Sequence, residues 1–210
     1  MFDQLNQPEV TNQTLSVLRK LDNLHWGIVV MLAFVLYVYF TAFEQKKYNQ
    51  LAAGLALYAV HWFVEIVNAV IQYLSGHALW TASGGTSFVI LVGVGIEISF
   101  MFAVAGLIMS KMLPEDKNKK ILGVNNRIVF AIANALLIAL IEIPLAASPI
   151  FQWVYPWWGM LTVWIIIYIP FFLAAFLCHD AKPRTRRIFI GTLFGLDLAM
   201  MIVFIALGWI

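Results

Sequence analysis

The sequence has few charged residues and a single cysteine. Only 11% of its 210 residues are Asp, Glu, Lys or Arg, against about 25% in soluble domains, and 62% are hydrophobic. A chain this apolar is neither a soluble globule nor a disordered segment, because it cannot stay hydrated. Cys178 has no partner for an internal disulfide, and one thiol supplies no metal cage. The sequence therefore predicts an integral membrane protein.

Long hydrophobic stretches are what the sequence has instead. A membrane-spanning helix needs about 20 apolar residues, and six stretches meet this length: residues 26–43, 51–73, 87–110, 127–147, 157–178 and 188–209. We therefore expect an all-α integral membrane fold with one six-transmembrane-helix domain over residues 26–210. Leucines recur at helical spacing within residues 1–25, which predicts an N-terminal interfacial helix. A partly ordered tail is the alternative for that segment.

The basic residues predict the orientation of the bundle. Eleven of the thirteen lysines and arginines lie in or beside the first, third and fifth loops, and Arg19 and Lys20 are the other two. Cytoplasmic loops collect positive charge. Both termini are therefore expected on the non-cytoplasmic side of a multi-pass protein, in the plasma membrane if the host is bacterial.

The positions of tryptophans and glycines predict further features of the bundle. Trp80 in the second loop and Trp153, Trp157 and Trp158 in the fourth fall on the predicted outer side. They are interpreted as interfacial anchors, with a lid over a cavity as the alternative. Two glycine patterns, Gly191 with Gly195 and the Gly93-Val94-Gly95 run within the third predicted span, are interpreted as helix packing.

Four acidic residues lie inside the predicted spans without a lysine or arginine in any span to pair with them. They are Glu65, Glu97, Glu142 and Asp197, on spans two, three, four and six. A charge at mid-bilayer costs about 3 kcal/mol or more. These acids must therefore be protonated, face a wet cavity or bind a cation. Because four helices each carry one, we expect them to converge on a shared cavity.

The residues on two helix faces support the prediction of this cavity. His61, Glu65, Asn68 and Gln72 follow helical spacing and form one polar stripe on the second span. A polar network that only holds the helices together is the structural alternative. Aromatic residues share a face of the fifth span, and aromatic faces stabilise cations. The aromatic residues are Trp157, Trp164, Tyr168 and Phe171, and Asn134 on the fourth span lies on a similar side to Glu142.

The residue inventory excludes several chemistries. His61 is the single histidine within a predicted span, whereas di-iron and bis-histidine haem sites need more. The sequence has no P-loop, dinucleotide fingerprint or Ser-His-Asp order. We therefore expect no metal and no cofactor. Nucleic acid is not expected as a partner, because membrane topology accounts for the basic loops.

After these exclusions, the chemistry that the residues favour is acid catalysis in an apolar, aromatic cavity. A carboxylic acid in such a site favours its protonated form and can donate a proton to an alkene or epoxide, while a second group removes a proton elsewhere. Aromatic faces would stabilise the carbocation between the two steps. The expected partner is an isoprenoid or other lipid-like small molecule that enters from the membrane lipid. A homo-oligomer is a further possibility.

The chain resembles two families of membrane enzymes. The His61–Glu65 pair, Glu97 and the Tyr155-Pro156-Trp157…Pro170…Asp180-Ala181 stretch resemble the emopamil-binding-protein (EXPERA) sterol isomerases. The Trp62-Phe63-Val64-Glu65 stretch, with Asp197 on the last span, is similar to fungal integral-membrane terpene cyclases. Both resemblances imply protonation of an isoprenoid and rearrangement of the resulting carbocation.

The sequence thus predicts a terpene cyclase or sterol-type isomerase. Its catalytic residues are expected to be Glu65, Asp197 and His61, with Glu65 and Asp197 as the acid-base pair and with His61 and Asn68 orienting Glu65. The substrate-binding residues are expected to be Glu97, Glu142, Asn68, Asn134, Trp62, Trp164 and Tyr168. Two alternatives stay open: a proton- or cation-coupled transporter or channel that uses the same acids, and a non-catalytic lipid-binding or assembly subunit.

Overall fold

The computed structural model describes residues 9–82 and 88–210. Its helices are α1 (Val10–Val17), α2 (Gly27–Glu44), α3 (Tyr48–Ser75), α4 (Ile96–Ser110), α5 (Asn126–Ala146), α6 (Met160–Thr162), α7 (Ile169–Asp180) and α8 (Pro183–Ala206). A 3-10 turn covers Leu21–Asn23, and a π-helical segment over Val163–Tyr168 joins α6 to α7. The strands are β1 (Trp80–Thr81), β2 (Val89–Leu91), β3 (Val94–Gly95), β4 (Lys120–Ile121), β5 (Val124–Asn125) and β6 (Gln152–Trp153).

The predicted all-α membrane fold is confirmed. Five helices of the described chain are long and apolar enough to cross a bilayer: α2, α3, α5, the continuous helix Met160–Asp180, and α8. The sixth apolar helix, α4, has 15 residues and is about 22 Å long, shorter than the hydrocarbon core of about 30 Å. The orientation of the termini stays a prediction.

The third predicted span is not a single helix. Its first half forms an antiparallel hairpin in which Val89 pairs with Gly95 and Leu91 with Val94, so the prediction of helix packing at Gly93-Val94-Gly95 is wrong. Residue 87, where that span was predicted to begin, lies outside the described residues. Both strands and Val92 between them are largely buried, as non-helical backbone in a membrane protein must be, because lipid offers it no hydrogen bonds.

The N-terminal segment covers this hairpin. The described part of the segment begins at residue 9, and Val10, Thr11 and Thr14 form the buried side of α1. The backbone nitrogen of Arg19 donates to the Val89 carbonyl at 2.9 Å. Several of its leucines are exposed, namely Leu15, Leu21 and Leu24. The segment therefore has a short helix fixed to the protein on one side, and its location at the membrane surface stays a prediction.

The core of the bundle lies around α3, which packs against α4, α7 and α8. Glycines allow α3 and α4 to approach closely: a Cβ at Gly106 would lie 2.6 Å from the Ala53 carbonyl oxygen. By contrast, Gly191 and Gly195 on α8 face open space. The predicted packing at this pair of glycines is therefore absent from the described chain.

A network of polar contacts joins the third loop to the end of α7. The guanidinium of Arg127 donates to both carboxylate oxygens of Asp180, at 2.6 and 3.1 Å, and to the Pro114 carbonyl at 2.8 Å. His179 Nδ1 lies 2.7 Å from Asp180 Oδ1. Arg127 is almost fully buried, so its charge requires this partner. The network fixes α5 to α7 at the end of α7 that begins the predicted cytoplasmic fifth loop.

Candidate active site

A cavity of about 270 Å³ lies between α3, α4, α5, α7 and the π-helical segment. Its wall is mostly apolar and aromatic but carries three acids and one histidine: Glu65, Glu97, Glu142 and His61. The apolar part includes Met101, Phe102, Ile138, Ile141, Leu145, Phe151, Val163, Ile167, Tyr168 and Phe171. Three of the four acids predicted to converge therefore do so.

Glu65 projects from α3 into this cavity and is 4% exposed. Its Oε1 accepts a hydrogen bond of 3.3 Å from the indole nitrogen of Trp80. Its Oε2 is buried and has no hydrogen-bond partner among the described residues. A buried polar atom without a partner costs about 1–3 kcal/mol. One oxygen of Glu65 is thus held in place while the other is left for a bound molecule.

His61 lies one helical turn before Glu65 on the same wall. Its Nδ1 is 3.8 Å from Glu65 Oε1, too far for a hydrogen bond. The imidazole instead stacks on Phe102, with ring centroids 4.4 Å apart. Its Nε2 is buried without a partner in the described chain. The predicted role of His61 in orienting Glu65 is therefore not realised as a direct hydrogen bond in this arrangement.

Asn68 acts on Glu65 through the loop that carries Trp80. Its side-chain amide donates to the Trp80 carbonyl at 2.9 Å and accepts from the Leu79 backbone nitrogen at 2.8 Å. These two bonds fix β1 against α3 and so position the indole. Gly93 lies directly above, where a Cβ would collide with Glu65, Asn68 and the Trp80 indole nitrogen. The hairpin turn can approach the carboxylate this closely because glycine has no side chain.

Glu142 on α5 is the second buried carboxylate of the cavity, and it is fully hydrogen-bonded. The Tyr168 hydroxyl donates to Oε2 at 2.6 Å, and the Trp153 indole donates to Oε1 at 2.8 Å. An O–H···O distance of about 2.5–2.7 Å is typical of a bond to an ionised carboxylate. Glu142 therefore accepts two hydrogen bonds, whereas Glu65 accepts one long hydrogen bond.

The two indoles that bond these carboxylates come from one pair of strands. β1 and β6 are antiparallel, and Trp80 lies directly opposite Trp153. Trp158 stacks on Trp80, with centroids 5.5 Å apart. All three tryptophans are buried, whereas Trp157 is 61% exposed. The alternative interpretation, a lid over a cavity, therefore describes these three tryptophans better than interfacial anchoring does.

The other predicted residues divide into two groups. Glu97, in the first turn of α4 instead of mid-span, and Tyr168 line the cavity. Asn134, Trp62 and Trp164 are not among its lining residues. The amide of Asn134 donates to the Phe130 carbonyl of its own helix, the indole of Trp164 donates to the Ile132 carbonyl, and Trp62 packs on the cluster around Ile66.

The position of Trp164 has an identifiable physical cause. Its predicted face assumed the angular spacing of an α-helix. Residues 163–168 are π-helical, and the wider turn of a π-helix changes the angle between Trp164 and the residues that follow. Tyr168 and Phe171 consequently reach the cavity while Trp164 contacts α5. Only Ile169 separates the segment from Pro170, which has no backbone N–H to donate.

Asp197 is not among the cavity-lining residues either. It is 5% exposed on α8, and neither carboxylate oxygen has a hydrogen-bond partner among the described residues. Met200 and Met201 of α8 pack on the cluster of Trp62 and Ile66, which lie about 100–160° around α3 from the cavity residues His61 and Val64. The predicted pair of Glu65 and Asp197 is thus not brought together, and Glu142 occupies the corresponding place.

Sequence reasoning missed the roles of Trp80 and Trp153, because the pairing of β1 with β6 joins loops far apart in sequence. A tryptophan in each of two loops on the same side was the available signal. Within residues 9–82 and 88–210, no group of three His, Cys, Asp or Glu side chains is arranged to hold a metal ion.

Comparison with known proteins identifies the family. Residues 8–206 match the family described as an uncharacterized membrane protein family, and the chain belongs to it. A relative in Archaeoglobus fulgidus, described as an uncharacterized protein, is 37% identical over 209 residues, which cover 96% of this chain and 99% of the relative. No solved structure gives a significant match. The multi-pass integral membrane location is therefore established by the family and by the helices together.

Proposed function

We propose that this protein is a membrane enzyme that isomerises or cyclises an isoprenoid-type lipid through a carbocation. The observation that carries the proposal is a pair of atoms on the cavity wall, Glu65 Oε2 and His61 Nε2, that have no hydrogen-bond partner in the described part of the chain. Both belong to residues that are at least nine-tenths buried. Burial of such atoms is unfavourable unless a ligand compensates, and the surrounding wall suits an apolar ligand.

The two buried carboxylates receive different roles in this proposal. Glu65 accepts a single long hydrogen bond and is assigned as the proton donor. Glu142 accepts a short bond from Tyr168 and a second from Trp153, which favour its ionised form. Glu142 is accordingly assigned as the anion that faces the carbocation. Two carboxylates with environments this different are the usual basis for an acid and a base at one site.

The proton transfers of the isomerisation need no acid or base other than Glu65 and Glu142. The π electrons of a substrate double bond take the proton of the Glu65 carboxyl, forming a C–H bond and leaving a tertiary cation and the Glu65 carboxylate. Loss of a proton from the adjacent carbon to the Glu142 carboxylate forms the new double bond. Glu142 then releases that proton to solvent and the Glu65 carboxylate takes up a proton from solvent, which restores the starting state. In cyclisation a second double bond attacks the cation before the proton is lost.

The rings around the cavity fit the charge that develops. Phe102, Tyr168 and Phe171 form mutual ring contacts with centroids 5.8–6.1 Å apart, and each of them lines the cavity. Aromatic faces within about 6 Å attract a cation by about 2 kcal/mol or more when water is absent. Asp197, which lies away from the lining, has no role in this assignment.

Deuterium transfer from solvent tests the proposal without knowledge of the product. Purified protein in nanodiscs is incubated in D2O with a panel of unsaturated prenyl lipids, and recovered lipids are analysed by mass spectrometry. The wild-type protein is expected to introduce deuterium into at least one lipid, because the donated proton comes from solvent. Glu65→Gln should lower the rate about 100-fold or more, the usual contribution of a general acid.

Glu44→Gln is the matched control, since Glu44 is an exposed glutamate at the end of α2. It should incorporate deuterium at the wild-type rate. Incorporation by Glu65→Gln at that rate, or no incorporation by the wild-type protein into any lipid, contradicts the proposal. A pH-dependent cation flux in liposomes that requires Glu65, without deuterium incorporation, would establish the transporter alternative in its place.

A further inference from the structure

The cavity is not closed on all sides. Most of the residues around its acids are buried, but three lining residues are more than one-third exposed: Met101 at 43%, Ile141 at 48% and Leu145 at 37%. Met101 belongs to α4, and Ile141 and Leu145 lie one turn apart on α5. Residues that line a cavity and are also exposed mark the place where the cavity opens. The opening therefore lies between α4 and α5.

The packing of the helices agrees with this position. α4 packs on α2, α3 and α7, and α5 packs on α7 and the π-helical segment, but α4 and α5 do not pack closely on each other within the described chain. Each is an apolar helix of a membrane protein. The surface at the opening is apolar and, because the chain belongs to a membrane protein family, hydrocarbon chains of the bilayer surround it.

The size of the cavity limits what it can enclose. Its volume of about 270 Å³ is below the roughly 300–1,000 Å³ of sites that enclose a complete drug-sized ligand. A long lipid therefore fits with one end inside and the remainder outside. The inner end would meet Glu65 and His61, and the outer part would continue past Met101 and Ile141.

We propose that the gap between α4 and α5 is a lateral portal that admits one end of a long prenyl lipid while the rest of the chain stays in the bilayer. This inference rests on the proposed function insofar as the admitted end is the part on which Glu65 acts. Binding through the portal can nevertheless be measured without turnover.

Photolabelling with two lipid probes tests the portal. Both probes are C20 prenols, one with a diazirine at the hydroxyl end and the other with a diazirine at the hydrocarbon end. Each is incorporated into nanodiscs with the purified protein, irradiated, and mapped by peptide mass spectrometry. One of the two is expected to label the α3 peptide that carries Glu65, and the other to label the exposed faces of α4 and α5. Equal labelling of the cavity by both probes overturns the proposal.

Bulky substitutions at the portal supply the second arm of the test. Met101→Trp and Ile141→Trp should each lower labelling of the cavity peptides at least tenfold by obstructing the gap. Leu140→Trp is the matched control, because Leu140 is 46% exposed on the same helix but does not line the cavity. It should label as the wild-type protein does. Unchanged labelling in both portal variants, or an equal loss in the control, contradicts the portal.

Measurements of folding and of deuterium transfer distinguish a blocked portal from misfolding and from a failure of the proposed function. Thermal unfolding and size-exclusion profiles restrict the comparison to variants that fold as the wild-type protein does. Labelling that depends on the portal in a protein that transfers no deuterium would uphold the portal and end the proposed function. Deuterium transfer that is insensitive to both portal variants would uphold the proposed function and contradict the portal.

Discussion

Helices α3 and α8 are both long and apolar, yet they bury different kinds of residue. The buried side of α3 includes Glu65, His61 and Asn68 together with alanines. Along the described helix Pro183–Ala206, Asp197 is the one buried residue, although the most apolar 18-residue stretch of α8 is more hydrophobic than that of α3. Lipid tails are as apolar as leucine, so apolar side chains gain little by leaving the bilayer. In this protein, polar and small residues indicate the interior better than hydrophobic ones.

The glycines of the two regions show the same difference. Gly54 and Gly106 lie in the contact between α3 and α4, where an added Cβ would approach Tyr39 or Ala53 too closely. Gly191 and Gly195 have the spacing of a packing motif and meet nothing within 4 Å. Spacing alone therefore does not establish a helix contact. A facing element with room for close approach is also required.

The largest expected difference in the rate of deuterium transfer is between substitutions at Glu142 in the cavity and at Asp197 on α8. Glu142→Gln removes the carboxylate to which Tyr168 and Trp153 donate, and we expect deuterium transfer to fall about 100-fold. Asp197→Asn should stay close to the wild-type rate, because Asp197 does not line the cavity. Rates are measured by the D2O assay described above. An equal loss in Asp197→Asn would restore the pair of Glu65 and Asp197 predicted from the sequence.

The second comparison is between the two kinds of glycine. Gly106→Ala places a methyl group 2.6 Å from the Ala53 carbonyl oxygen, and we expect a loss of about 1–3 kcal/mol in the free energy of unfolding. Gly195→Ala fills open space and should be neutral or stabilise the helix by up to about 1 kcal/mol. Unfolding in detergent measures both. Destabilisation by Gly195→Ala would indicate that a second chain covers this face of α8.

The smallest expected effect separates a buried tryptophan from an exposed one. Trp153→Phe keeps the ring but removes the indole donor to Glu142, and we expect a loss of about 1 kcal/mol in the free energy of unfolding. Trp157 is 61% exposed, so Trp157→Phe should change that free energy by no more than about 0.5 kcal/mol. The same unfolding measurements check this. Equal effects of the two substitutions would favour interfacial anchoring for both.

Much of the fold was predictable from hydrophobic length. Five of the six predicted spans correspond to helices long enough to cross a bilayer. The exception is residues 87–110, where valines and isoleucines suit a strand and a membrane helix equally. The hairpin of Val89–Leu91 and Val94–Gly95 forms there because α3 and the residues that follow α1 cover its backbone. Hydrophobicity carries no information about that cover.

The candidate site was predictable in part. The polar stripe of α3 correctly indicated an inner face, and Glu97, Glu142 and Tyr168 share the cavity with His61 and Glu65. The prediction for Trp164 failed because the angular spacing of residues around the helix changes at the π-helical segment. The position of Asp197 depended on which side of α3 receives α8. Neither of these is expressed in the spacing of residues along one helix.

The sequence by itself determined that this is a multi-pass membrane protein with acids in its interior, because both properties follow from the cost of placing polar groups in hydrocarbon. Only the tertiary structure decided which acids share a cavity and which tryptophans bond them. Trp80 and Trp153 meet through a pair of strands between loops about 70 residues apart. Such a contact arises from the assembly of the whole bundle, and no local pattern encodes it.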